Sequence, residues 1–447
     1  MKTALTLSCL AFALALGVSS SSAAVSRTPS FTAYKRYPLP TGNNEEAEAV
    51  AIGDLNGDGR PDLVTVSDDP SIVSVLLNKG GGSFRARRDY LVGDGAWSVA
   101  IGDLNGDGHP DLAVADLNLG GVSVLLNRGD GTFGARREYA VGGDPDSIAI
   151  GDLNADGRPD LVTVSSDQSI VSVLLNRGDG TFAAKHDYPV SGGANSLAIG
   201  DLNGDGKPDL VTGSVFVLLN NGDGTFGASH AYPVLSGNFF TAGESLAIAD
   251  LNGDGHPDLA VAEGAVFVLL NNGDGTFGAG HAYPLLSGEG YSAGPESLAI
   301  GDLNGDGQLD LVTANIDWHV SLLLNGGAGT FRTTLDLGAY KCQPTEADRS
   351  VAIGDVNGDR RPDLAVVGNG VCVLLDRPGL CNVQDVRGLT VTGAKRLLAL
   401  GHCRVGRIRY AHAAFTKRGR VSAHKPGFGA VLRQGGKVDL VVSLGPT

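Results

Sequence analysis

Seven short segments of this 447-residue chain set carboxylates and an amide at fixed offsets from one another. The first reads Asp54-Leu55-Asn56-Gly57-Asp58-Gly59-Arg60-Pro61-Asp62, and its kin begin at Asp103, Asp152, Asp201, Asp250, Asp302 and Asp355. Positions 1, 3, 5 and 9 carry side-chain oxygens, and a glycine at position 6 of six segments lets the backbone turn left-handed. This spacing turns several hard oxygens onto one centre, and such donors suit Ca2+, which takes about six to eight of them at about 2.3–2.6 Å. The side-chain ligand positions hold no sulfur or imidazole for zinc or copper.

With position 7 offering its main-chain carbonyl, the candidate ligands are Asp54, Asn56, Asp58, Arg60 and Asp62 in the first segment and Asp103, Asn105, Asp107, His109 and Asp111 in the second. The third and fourth supply Asp152, Asn154, Asp156, Arg158, Asp160 and Asp201, Asn203, Asp205, Lys207, Asp209. The fifth and sixth supply Asp250, Asn252, Asp254, His256, Asp258 and Asp302, Asn304, Asp306, Gln308, Asp310. The seventh supplies Asp355, Asn357, Asp359, Arg361 and Asp363, giving up to seven Ca2+. An EF-hand shares positions 1, 3, 5 and 6, but these segments have no acid at position 12 and are flanked by strands rather than helices. The other reading is a set of Asx-rich turns without metal. Against it, three carboxylates within nine residues repel one another unless a cation lies among them. Ala155 at position 4 of the third segment should matter little. Arg360, at position 6 of the seventh, adds strain and positive charge and predicts the weakest site.

The segments recur at steps of 49, 49, 49, 49, 52 and 53 residues, so an internal repeat organises the chain. In the third unit, Ser147-Ile148-Ala149-Ile150-Gly151 leads into the acidic loop. A β-branched run follows at 161–165, then another at 170–176, a Gly-Asp-Gly-Thr-Phe turn at 178–182, and a more polar strand at 185–190. Four strands per period predict an all-β, seven-bladed β-propeller. A solenoid would use shorter repeats and distinct caps. The seventh unit stops at Leu374-Leu375-Asp376 without a fourth strand, whereas Phe31-Thr32-Ala33-Tyr34-Lys35-Arg36-Tyr37 matches the fourth strand beginning at Phe133. The N-terminal strand is therefore expected to complete the seventh blade and close the ring. These units resemble the FG-GAP or VCBS repeats of integrin α-subunit heads and of many exported bacterial proteins, over roughly residues 31–380. That resemblance implies a calcium-binding propeller used in adhesion or ligand binding.

Residues 1–24 read as a signal peptide: Lys2, an apolar stretch over 5–18 and small residues at Ser21-Ser22-Ala23-Ala24. The propeller would span 25–380 and a further domain 381–447. No later stretch is apolar enough to span a membrane, so the protein is expected to be secreted, extracellular or wall-associated. Cys342, Cys372, Cys381 and Cys403 remain after cleavage and allow three pairings. Cys342–Cys372 with Cys381–Cys403 keeps each bridge inside one domain.

Loops between the second and third strands, and from blade to blade, should share the face opposite the acidic loops. The fourth and fifth units shorten the former and lengthen the latter, at 235–244 and 286–296. Phe239, Phe240 and Tyr291, with Trp97 and Trp318, are the candidate ligand-binding residues there, and the 338–349 loop adds Lys341. Exposed aromatics stack on sugars or anchor proteins; local packing of long loops is the alternative. His186, His230 and His281 repeat on fourth strands and suggest surface filling. No nucleophile–base set stands out, so a binding protein is expected rather than an enzyme. A propeller-scaffold enzyme acting on extracellular polysaccharide is the alternative, to be recognised by Asp, His or Arg clustered on a channel.

Residues 381–447 carry 12 Lys and Arg against two acids, a net +10, which leaves −25 for the rest of a chain whose total is −15. A short helix over 391–400 and strands at 403–408, 419–421 and 437–443 predict a small α+β domain. Val383-Gln384-Asp385-Val386 with Gly388-Leu389, Ala394-Lys395, Gly419 and Val421, Pro426 and Gly429, and Val441-Val442-Ser443 with Gly445 resemble a PASTA domain, with Gln384 and Phe428 where that family has prolines. The resemblance implies contact with peptidoglycan, and the positive charge favours an anionic wall polymer over nucleic acid, which export argues against.

Overall fold

The computed structural model describes residues 29, 31–39, 47–190, 194–213, 215–232, 245–285, 294–315, 319–336, 350–368, 370–383, 386–400, 402–427 and 430–446. The signal-peptide reading lies outside them. Among the described residues the chain is almost entirely β, with one α-helix at Val391–Leu400. It contains seven antiparallel four-stranded sheets, six of them each built from one repeat. In the first, Ala49–Gly53, Asp62–Asp68, Ser71–Leu76 and Arg88–Leu91 pair in sequence order. In the seventh, Ser350–Gly354, Asp363–Gly368 and Gly370–Asp376 are joined by Phe31–Tyr37, which pairs Phe31 with Asp376 and Tyr37 with Val371.

The middle strands are apolar on both faces because each sheet is covered on both sides, and Leu63, Val64 and Val66 are all fully buried. Seven apolar clusters lie between consecutive sheets. The last sets Val367, Val371, Val373 and Leu375 of the seventh sheet against Val50, Ile52 and Leu63 of the first. The end of an inner strand must be small where the next sheet approaches. A Cβ on Gly354 would come within 3.1 Å of Ile52 Cγ2.

A second repeated contact ties the outer strands. Tyr37, Tyr90, Tyr139, Tyr188, Tyr232 and Tyr283 each meet a turn phenylalanine of the following unit edge to face, at 5.1–5.5 Å between ring centroids. Such geometry adds to simple burial because ring edges are positive and faces negative. Tyr37 also accepts a bond at its hydroxyl from Phe84 N at 3.0 Å. The N-terminal strand thus makes toward the first sheet the contact that every other fourth strand of this series makes toward its neighbour.

The C-terminal residues fold around their own core of Cys381, Val383, Val386, Ala394, Leu398, Cys403, Val421, Val438 and Leu440. Lys437–Ser443 is the middle strand, parallel to Arg404–Ala411 and antiparallel to Val421–Lys425. Cys381 and Cys403 are disulfide-bonded. Cys372 is also disulfide-bonded, and its expected partner Cys342 is not among the described residues.

Phe31 is fully buried between the sixth and seventh sheets. Phe31→Ala is expected to destabilise the protein by about 3–5 kcal/mol in urea unfolding; a loss below about 1 kcal/mol would mean that the N-terminal strand does not dock.

Candidate metal loops and the central cavity

Each acidic loop closes on its own backbone. In the first, Asp54 Oδ1 accepts the N–H of Asp58 at 3.1 Å and Oδ2 that of Gly59 at 2.8 Å. Asn56 Oδ1 accepts the N–H of Asp58 at 3.0 Å, and Asp58 Oδ1 accepts that of Arg60 at 3.0 Å. Position 9 is different in kind: Asp62, Asp111, Asp160, Asp209, Asp258, Asp310 and Asp363 have no exposed surface. Asp62 Oδ2 accepts the N–H of Leu55 at 3.0 Å and Oδ1 that of Asn78 at 2.6 Å. Burial pushes the carboxyls of Asp62, Asp111, Asp160 and Asp258 up to about 6 and those of Asp310 and Asp363 up to about 7. Backbone donors oppose the rise, and the carboxylates at positions 5 and 1 add to it. As the loops stand, no three Asp, Glu, His or Cys side chains among the described residues converge to hold an ion. The donor chemistry nevertheless fits Ca2+, since every acceptor is a hard oxygen and an ionised carboxylate retains lone pairs beyond one bond per oxygen.

The partner of position 9 was not anticipated from the sequence. An asparagine opens the turn after the third strand in six units. Asn127 donates its N–H to Asp111 at 2.7 Å, and its Nδ2 donates at 2.8 Å both to the carbonyl of Pro110 and to that of Leu55 in the preceding loop. Asn176, Asn220, Asn271 and Asn325 repeat this to Leu104, Leu153, Leu202 and Leu251, and Asn78 donates at 2.9 Å to Val356 of the seventh loop. One amide therefore fastens an acidic loop to the next sheet. Asp376 takes this place in the seventh unit; its N–H meets Asp363 at 2.8 Å, but its carboxylate has no N–H to give. The signal was present in the sequence: Asn stands two residues before the first glycine of the turn, as in Asn127-Arg128-Gly129.

The inner strands surround a cavity of about 1610 Å3. One mouth carries Glu48, Trp97, Asp146, Asn195 and Glu296; the other carries Asp201, Asp250, Asp302 and Asp355 with His256, Arg360 and Arg361. Inside the first mouth, Ser245, Ser297 and Ser350 accept N–H bonds from Leu298, Val351 and Val50 of the following sheets at 3.1, 3.2 and 3.4 Å. Trp97 sits at the start of the inner strand Ala96–Gly102, half-buried on the cavity rather than out on a loop. Phe239, Phe240, Tyr291, Trp318, Lys341 and Cys342 lie outside the described residues. His186, His230 and His281 meet Tyr188, Tyr232 and Tyr283 at tilted angles, 4.7–5.0 Å between centroids.

The FG-GAP-like repeat matches at residues 54–114, 103–163, 152–212, 212–261, 250–313 and 302–366, together well over half of the chain. The chain belongs to the FG-GAP-like repeat family. No curated protein matches it. Among solved structures it is similar to BBS1N in complex with ARL6DN, at 12% identity and TM-score 0.51, covering 79% of this chain and 98% of that one. It is also similar to the Staphylococcus aureus virginiamycin B lyase solved with quinupristin, at 10% identity and TM-score 0.50, covering 76% and 98%. An Agrocybe aegerita lectin that recognises non-reducing terminal N-acetylglucosamine aligns at 26% identity and TM-score 0.47, covering 66% and 80%. The first two likenesses concern the fold alone.

The FG-GAP loops are not equivalent. Arg60, Arg158, Lys207 and Arg361 at position 7 turn their side chains onto the position-5 carboxylates Asp58, Asp156, Asp205 and Asp359. The Arg158 guanidinium holds Asp156 below the usual carboxylate range. In the second and fifth loops position 7 is histidine, and the position-3 amide donates instead, Asn105 to Asp107 at 3.0 Å and Asn252 to Asp254 at 2.8 Å. Position 7 thus acts through its side chain in four of the loops. Ala155 and Arg360 adopt φ of 59° and 64° where other FG-GAP loops use glycine.

Asn127→Ala leaves the Leu55 and Pro110 carbonyls without this donor and is expected to cost about 2–4 kcal/mol in urea unfolding. A loss under about 0.5 kcal/mol would remove the amide from any fastening role. Nothing lies within 4 Å of a Cβ built at Gly59, so Arg360 suffers backbone strain rather than crowding. Arg360→Gly should therefore stabilise by about 1–2 kcal/mol, read as a rise in melting temperature; an unchanged or lower value would contradict that.

Proposed function

We propose that this FG-GAP chain is a secreted, calcium-binding protein, a seven-bladed propeller closed by its N-terminal strand, that binds an extracellular protein or glycan in adhesion or ligand capture. The observation that carries the reading is the repeated construction of seven acidic loops, each joined through a backbone N–H to a buried aspartate. Bound Ca2+ would place two positive charges within each cluster of carboxylates. The chain's own part is to hold Asp and Asn oxygens of positions 1, 3 and 5 on one short loop and to join that loop to the next sheet through position 9. Closure is supported by Phe31–Tyr37 on the seventh sheet, by Asn78 on the Val356 carbonyl and by Ser350 on the N–H of Val50.

Ligand binding would use the cavity mouth with Trp97 and the aromatics of the neighbouring loops. Residues 381–447 would act as a PASTA-like tether to peptidoglycan or an anionic wall polymer. No helix among the described residues is long and apolar enough to cross a membrane. A second reading, an enzyme acting on extracellular polysaccharide, is favoured by Glu48, Asp146 and Glu296 at one mouth of the cavity. Turnover of a polysaccharide, abolished in Asp146→Asn, would establish it over binding alone.

Ions that bind the folded chain and not the unfolded one stabilise it in proportion to RT ln(1 + [L]/Kd). Chelation is therefore expected to lower the melting temperature by roughly 10 °C or more, and elemental analysis should find several calcium ions per untreated chain. Equal melting with and without chelator, and no metal in either sample, would end this reading.

A further inference from the structure

Three large apolar side chains left in water lie at one end of the C-terminal sheet. Tyr410 is 63% exposed, Phe415 is completely exposed and Leu444 is 38% exposed. Backbone and side-chain bonds hold them on one frame: Leu444 N donates to Ala411 O at 2.9 Å, Ala413 N to Gly445 O at 3.2 Å, and Ser443 Oγ to Thr416 O at 2.7 Å. Cations surround this end. Arg409, Lys417 and Arg418 are exposed, and the Arg418 Cβ packs beside Gly445, 3.8 Å from where a side chain there would begin. The domain offers them almost no acid. Asp439, its one described carboxylate, already accepts the N–H of Arg407 at 2.7 Å.

We propose that this end of the sheet is a binding surface for an acidic polysaccharide whose uronate carboxylates and sugar rings lie in one chain. The proposal rests on the reading of residues 381–447 as a tether and names its ligand class and its residues. Aromatic faces take pyranose rings, and guanidinium groups take carboxylates two bonds at a time. A polyanion without rings would leave Tyr410 and Phe415 in water, and a neutral glycan would leave the three cations unmatched. An anionic bilayer is disfavoured by the rest of the molecule. The remaining residues carry a net −25, still −11 once seven bound Ca2+ add +14, which an extended negative plane repels, whereas a single thread of polymer touches only this surface.

The test uses the full mature chain at fixed calcium, so that loss of the propeller's metal and loss of this surface are read separately. Titration calorimetry with a hyaluronan decasaccharide should show binding that weakens with salt. Phe415→Ala and Tyr410→Ala should each weaken it about tenfold, the equivalent of about 1.4 kcal/mol. Arg418→Gln should weaken it and flatten the salt dependence. Chitin pentasaccharide, which has rings without carboxylates, and polyglutamate, which has carboxylates without rings, should bind at least tenfold more weakly. Phe415 is a solvent-facing side chain, so its truncation leaves the fold intact, which circular dichroism checks. Unchanged affinity in Phe415→Ala, polyglutamate binding equal to hyaluronan, or tighter binding to phosphatidylglycerol vesicles would each overturn the proposal, the last by making the surface a membrane contact.

Discussion

A carboxylate with no access to water must be met by N–H groups or by a cation, and this chain sets that requirement seven times over. Asp62 and its six equivalents sit where an acidic loop, the strand that follows it and the turn of the same sheet converge. The two N–H groups that meet Asp62 come from different ends of the unit, Leu55 and Asn78. The carboxylate thereby fixes the distance between the loop and the turn. Asn127 and its equivalents extend that fixed point across to the neighbouring sheet. The apolar cores between sheets supply the larger share of the driving force, because burial acts over every strand. Because the middle strands are buried on both faces, their apolar pattern alone sets register weakly. The hydrogen-bonded aspartate and asparagine fix it, since a slip of one residue would leave buried polar groups without partners.

Much of this was legible in the sequence because the pattern is periodic and short-ranged. The strands Ser147–Gly151 and Lys437–Ser443 fall on the apolar runs that predict them, Phe31–Tyr37 falls where its match to the strand at Phe133 places it, and the helix Val391–Leu400 has the expected bounds. Ends were less legible wherever a side chain turns the backbone. The third strand of the third unit stops at Leu174 because Asn176 is drawn to Asp160 at 2.7 Å. The strand expected at 419–421 begins only at Val421, because Gly419 is left-handed and bonds back to Ser443. The amide fastening itself could not be derived from local spacing, since its acceptor lies 72 residues away at Leu55 for Asn127. For the same reason Trp97 reads from the sequence as a loop residue, while the inner strand that carries it begins one residue earlier, at Ala96.

Charge divides the molecule along the same boundary as the folds. The acidic portion concentrates carboxylates in loops that share one end of the sheets, while the basic domain keeps its cations on a surface with little to neutralise them. Opposite signs on two covalently joined units produce a strong field gradient along the molecule. Any charged body approaching the molecule would feel that gradient before contact, and ionic strength governs how far it reaches.

The junction between the sixth and seventh sheets lacks one of the devices found at the others. Asp376 replaces the donating asparagine, while Phe31 holds the place of the turn phenylalanine. An array whose joints are otherwise alike will part first at the odd one. Of the joints between sheets, the one beside the strand borrowed from the N-terminus is thus held without an amide donor. Earlier hydrogen exchange in Ser350–Gly354 than in Ser147–Gly151 is how that parting would be seen, and it would make the strand brought from the far end of the chain the first to leave.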